Sequence, residues 1–125
     1  MALRKAGKML LKPDPDQARA QLDEQASVLT PEQDAAGERL RAVAVELIRR
    51  GLEVTVVDYG EGLWELEALL PHARHLGPVV LDRDGGTGCQ LTWEQGADIA
   101  DETGAGQAAD MVAALLRSIA PAGHG

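Results

Sequence analysis

The residue types best suited to chemistry gather between His72 and Cys89. There, Val79-Val80-Leu81 runs into Asp82-Arg83-Asp84-Gly85-Gly86-Thr87. An Asp at the end of an apolar strand can attack phosphorus, and a second carboxylate two residues on can serve a bound Mg²⁺ or move a proton. The same pair could open a calcium loop, which needs further oxygens at fixed spacing and a closing Glu at its twelfth position. Counted from Asp82, that position is Trp93, one short of Glu94, and position 86 is Gly. His72 and His75 stand three apart, a spacing that suits two metal ligands on one helical turn, but a defined site needs a third. Cys89 with either His has the residue types of a nucleophile and its base. Its flanks place it on a strand after a turn, where no helix N-terminus lowers the thiol pKa. Gly104-Ala105-Gly106 precedes a helix, yet Asp98, Asp101 and Glu102 would repel an anion there.

The stretch from Val79 to Thr87 resembles the first motif of the haloacid-dehalogenase-like phosphatases, an apolar strand followed by Asp-x-Asp-Gly and Thr. The resemblance covers about nine of 125 residues and carries an extra Gly before Thr87. It implies Asp82 as nucleophile, Asp84 as acid and base, magnesium nearby and a doubly wound parallel sheet. It also implies a later catalytic Lys, and no Lys follows Lys12. Taken on residue types alone, Asp and Gly build a hairpin turn, because they tolerate the backbone angles a tight reversal needs. The expectation is therefore no catalytic residue, no metal site and no cofactor. Magnesium-dependent phosphoryl transfer at Asp82 and Asp84 is the enzymatic alternative.

The elements that must hold these residues follow from capping and periodicity. Asp14-Pro15-Asp16-Gln17 and Thr30-Pro31-Glu32-Gln33 both start helices, with a capping side chain, Pro in the first turn and Gln to complete the box. The first helix, 15–28, has a thin apolar stripe of Ala18, Leu22, Ala26 and Leu29. The second, 31–50, has a fuller one of Ala36, Leu40, Val43, Ala44, Leu47 and Ile48. Gly51 is placed to stop it. Leu52, Val54 and Val56 alternate with Glu53 and Thr55, and Trp64, Leu66 and Ala68 with Glu65 and Glu67, which gives two half-buried strands around a Tyr59-Gly60-Glu61-Gly62 turn. The segment 63–70 also fits a short helix, and Gly62 and Pro71 favour the strand. Strands at 79–81 and 89–94 follow. A last helix over 104–119 buries Ala108, Met111, Val112, Leu115 and Ile119. The predicted order is α-α-β-β-β-β-α. This is an α+β two-layer sandwich, a four-stranded antiparallel meander covered on one face by helices. It forms a single domain over 14–120, between a basic flexible tail at 1–13 and a disordered tail at 121–125.

Composition narrows the function. The 125 residues carry a net charge of −8, one Cys, no Phe, one Tyr and two Trp. A lone Cys forms no internal disulfide, and no apolar run is long enough for a signal-peptide core or a membrane span. These features fit a cytoplasmic protein, and the Arg, Ala and Gly usage fits a GC-rich bacterial genome such as an actinobacterial one. The first 12 residues hold four basic groups and no acid, while the rest holds eight basic and 20 acidic residues. Such a body is repelled by nucleic-acid backbone and suits basic or apolar protein surfaces. Nucleic acid remains an alternative only through Arg4, Lys5, Lys8 and Lys12. The expected function is a non-enzymatic protein-interaction module, adaptor-like or regulatory, that works through its sheet surface and as a homodimer. Its expected partner-binding residues are Tyr59, Trp64, Glu65, Glu67 and Trp93.

Overall fold

The computed structural model describes residues 7–60, 63–76, 79–83, 91–93, 98–99 and 104–119. The chain runs β1 (Gly7–Leu10), α1 (Pro15–Ala26), α2 (Pro31–Arg49), β2 (Glu53–Asp58), β3 (Trp64–Leu69), a 3-10 helix (Pro71–Leu76), β4 (Val79–Arg83), β5 (Leu91–Trp93), β6 (Asp98–Ile99) and α3 (Ala105–Ile119). All strands pair antiparallel with their neighbours in sequence order, so one sheet runs β1 through β6.

Both helices start on the expected capping residue, and the reciprocal box closes at the second. Asp14 accepts from the backbone N–H of Asp16 and Gln17. Thr30 and Gln33 close a reciprocal capping box, with Pro31 in the first turn. Together they satisfy backbone donors that the first turn would otherwise leave unpaired. Gly51 takes a positive φ of 84° just past α2, a conformation that costs a residue without Cβ nothing.

Alternation then decides the layers. On β2 and β3, Val54, Val56, Trp64, Leu66 and Ala68 are all buried, and with Val79 and Leu81 of β4 they form the covered face. Helix α2 packs on that face against β2, β3 and β4, with α1 and α3 along its flanks. Leu40, Val43, Ala44, Leu47 and Ile48 supply its buried stripe, and Ala18, Leu22 and Ala26 that of α1.

Three expectations need correction. The order differs at both ends of the sheet. Gly7–Leu10, read as flexible tail, is the edge strand β1, anchored by the buried Leu11 whose N–H donates to the Val54 carbonyl at 2.9 Å. Asp98–Ile99 adds a two-residue β6 between the expected last strand and the last helix, where no element is expected. Both strands are too short, or too mixed in residue type, to show alternation. The third correction is the phase of α3. Met111 is 37% exposed, and the buried residues are Ala108, Ala109, Val112, Ala113 and Leu116. Alanines let α3 lie close against α2, and that close packing outweighs the size of the Met side chain.

The antiparallel sheet also corrects the parallel, doubly wound arrangement that the phosphatase resemblance implies. No helix among the described residues is long and apolar enough to cross a membrane.

Candidate functional site

Helices cover one face of the sheet, so the residues between the buried ones point to the other. Register places Lys8, Val57, Glu65, Asp82, Thr92 and Asp98 in one row across all six strands. A second row sets Leu10, Thr55, Glu67 and Val80 side by side. Glu53 and Leu69 pair beyond it. The face is therefore acidic with an apolar strip, and Lys8 is its one basic residue among these positions. Register sets Glu65 opposite Asp82 and Glu67 opposite Val80.

Its apolar members are not fully hidden. Leu10 is 60% exposed, and Tyr59 and Leu63, at the end of the β2–β3 hairpin, are 46% each. Val57 by contrast is buried. Two contacts organise the charges. The Tyr59 hydroxyl donates to Glu65 Oε1 at 2.8 Å, and that bond to a carboxylate, together with burial and the nearby charge, raises the phenol above its ordinary pKa. Lys8 Nζ lies 3.9 Å from Glu67 Oε2, a loose surface pair. Asp58, at the end of β2, accepts from Gln25 of α1 at 2.7 Å and from the Gly60 N–H at 2.7 Å, which fixes the turn that presents Tyr59.

Of the five expected partner-binding residues, Tyr59, Glu65 and Glu67 share this outer face. Trp64 does not. It is 4% exposed beneath the helices, with the Arg41 guanidinium 5.6 Å from its ring centroid. A buried ring offers nothing to a partner, so Trp64 belongs to the core. Trp93 lies in β5 opposite Leu81, a register position of the covered face. Lys8 and Leu10 join the surface through β1, which the sequence did not reveal.

Arg41 is the surprise of the covered side. It is buried, and its Nη2 donates to the Asp34 carbonyl, the Asp34 carboxylate and Glu38 Oε1. Its Nε and Nη1, and Trp64 Nε1, are buried with no hydrogen-bond partner among the described residues. Gly37 makes room for it, since a Cβ there would stand 2.9 Å from Arg41 Nη1. Glu38 also accepts from Arg19 at 2.9 Å. Burial pushes that carboxyl up, but the hydrogen bond and charge of Arg19, then of Arg41, outweigh it and hold the group below its usual range.

The remaining candidates are scattered. Asp82 sits inside β4, paired with Glu65 on one side and Thr92 on the other, and Asp84 and Cys89 lie outside the described residues. His72 is exposed on the 3-10 helix. No group of three or more His, Cys, Asp or Glu among the described residues could hold a metal ion. A groove of about 260 Å³ opens between α1, α2 and the start of α3, lined in part by Asp16, Arg19, Glu46 and Arg49. Its charges are largely committed to each other and to neighbours, Arg19 to Asp23 and Glu38, Glu46 to Arg49 and Arg50. The chain matches no family model, no curated protein and no solved structure.

Proposed function

We propose that this chain is a small, non-enzymatic protein-interaction module that presents the outer face of its sheet to a basic protein surface. The supporting observation is acid together with exposed apolar area on the sheet face that no described helix covers: Glu53, Glu65 and Glu67 with Leu10, Tyr59 and Leu63. Carboxylates in this setting steer a cationic partner and fix its register, while the apolar strip supplies contact area. Two such faces repel one another, which disfavours a face-to-face homodimer and favours a partner of opposite charge.

The test compares two double charge reversals that change net charge equally. One is Glu65→Lys with Glu67→Lys on the outer face. The other is Asp23→Lys with Glu24→Lys on the exposed side of α1. The probe is a Lys/Leu amphipathic peptide, measured by calorimetry at physiological salt. The outer-face reversal should weaken binding about tenfold or more, since lost attractions and new repulsions at exposed sites are each worth a few tenths of a kcal/mol to about 1 kcal/mol. Equal loss in both variants would mean that only net charge matters and would sink the proposal.

A further inference from the structure

The sheet begins at β1, whose far side has no strand beside it among the described residues. Antiparallel alternation fixes which of its backbone groups face outward. The Leu11 N–H donates to Val54, so Leu11, Met9 and Gly7 bond toward β2. Lys8, Leu10 and Lys12 therefore turn their N–H and C=O groups to the free edge. At that edge lies a side chain from α1. Gln21 Nε2 donates to the Leu10 carbonyl at 3.3 Å, and the Lys12 N–H donates to Gln21 Oε1 at 2.8 Å. One carboxamide thus makes the two bonds that a residue of a parallel neighbouring strand would make around Leu11.

We propose that the free edge of β1 is a latent pairing surface for a second copy of this chain, and that Gln21 holds it shut. An unpaired strand edge is a template for another strand, and folded proteins block such edges with charge, with short strands or with a covering element. Here the strand has four residues, carries Lys8 and is covered by Gln21. The register explains why a second copy fits. An antiparallel pairing centred on Met9 would set Lys8 of each strand beside Leu10 of the other. No lysine would then face a lysine directly, and the half-buried Met9 of each chain would meet across the covered face. Leu10, 60% exposed in the single chain, would gain cover. The Leu10 carbonyl takes part in that pairing, so Gln21 must let go first. This surface is the sheet's edge rather than its outer face, so the two proposals stand or fall separately.

Light scattering on the full chain over a range of concentrations tests it. The wild type should keep the mass of one chain, and Gln21→Ala, which suits a half-buried helical position, should shift to twice that mass. Self-association should strengthen about tenfold or more, the equivalent of freeing two hydrogen bonds for a new partner. Gln21→Glu keeps the acceptor for Lys12 but loses the donor to Leu10, and it should open the edge as well. Adding Lys8→Pro removes an edge-facing N–H without touching the bonds to β2, and it should return the variant to a single chain. A Gln21→Ala variant with native circular dichroism that stays monomeric would overturn the proposal. So would a dimer that survives Lys8→Pro, or a wild type already dimeric at the same concentrations.

Discussion

The two faces of β2 and β3 share one backbone and differ in almost everything else. On the covered face, Val54, Leu66 and Ala68 are fully buried and even a guanidinium, that of Arg41, is folded in over the Trp64 ring. On the outer face, one residue along, stand Thr55, Glu65 and Glu67, all half-buried, and the polar contacts there are local: Tyr59 to Glu65 and Lys8 to Glu67. The contrast teaches where the chain spends stability and where it spends surface. Burial of aliphatic side chains holds the fold. The other face sets the acids Glu65 and Glu67 opposite Val57 and Thr55, where aliphatic burial asks for no charge.

The largest effect should separate the faces outright. Leu66→Ala should cost about 2–5 kcal/mol, because it removes a buried side chain and leaves a cavity. Leu10→Ala on the outer side should stay within about 0.5 kcal/mol. Urea unfolding of both variants reads the difference, and equal losses would break the distinction between core face and outer face.

Arg41 probes the covered face from its polar side. Arg41→Ala should destabilise by about 2 kcal/mol, since it empties a buried volume and removes the packing over Trp64, while its partners Asp34 and Glu38 are half exposed and keep their solvation. Arg41→Met should cost much less, because it keeps volume and eliminates two buried donors that have no acceptor among the described residues. If Met proved as damaging as Ala, the charge itself would be what the core needs. A smaller effect, about 1 kcal/mol, should follow Thr30→Ala through loss of the α2 capping box.

The outer face gives the smallest and most local signal. Tyr59 is the single tyrosine, so absorbance near the phenolate band follows it alone. It should titrate above its ordinary value because its hydroxyl donates to Glu65, and Glu65→Gln should bring it back. The sign follows from which form the fold prefers. The protonated phenol is favoured, so its contribution is complete below the ordinary phenol range and is lost as pH rises through the raised value. At the other end of the scale, Glu38 is held low. Its contribution is present above the ordinary carboxylate range and is lost as pH falls through the depressed value.

How far the sequence reached depended on pattern length. The two capping sequences, the α2 stripe and the alternation of β2 and β3 are long, redundant signals, and they place α1, α2 and the central hairpin within a few residues. The acids of the outer face were legible for the same reason, since every second residue of β3 declares its side. β1 was not legible. Leu10 and Leu11 are both apolar, yet one is exposed and the other buried, so the segment shows no alternation. Its pairing with β2 is a tertiary fact. The same holds for Arg41, whose burial depends on the space left by Gly37 and on acceptors from Asp34 and Glu38. In α3 two apolar phases compete, and only contact with α2 chooses between them. Gln21 carried no signal at all, because its two bonds join positions on different elements.

The proposed basic partner would meet the outer sheet face. Backbone amide shifts followed by NMR during titration with the Lys/Leu peptide test it residue by residue. Changes should concentrate at Thr55, Val57, Glu65, Glu67 and the Tyr59 turn, with the solvent-facing sides of α1 and α3 quiet. Changes spread evenly over acidic residues of the helices, such as Asp23 and Asp110, would contradict it.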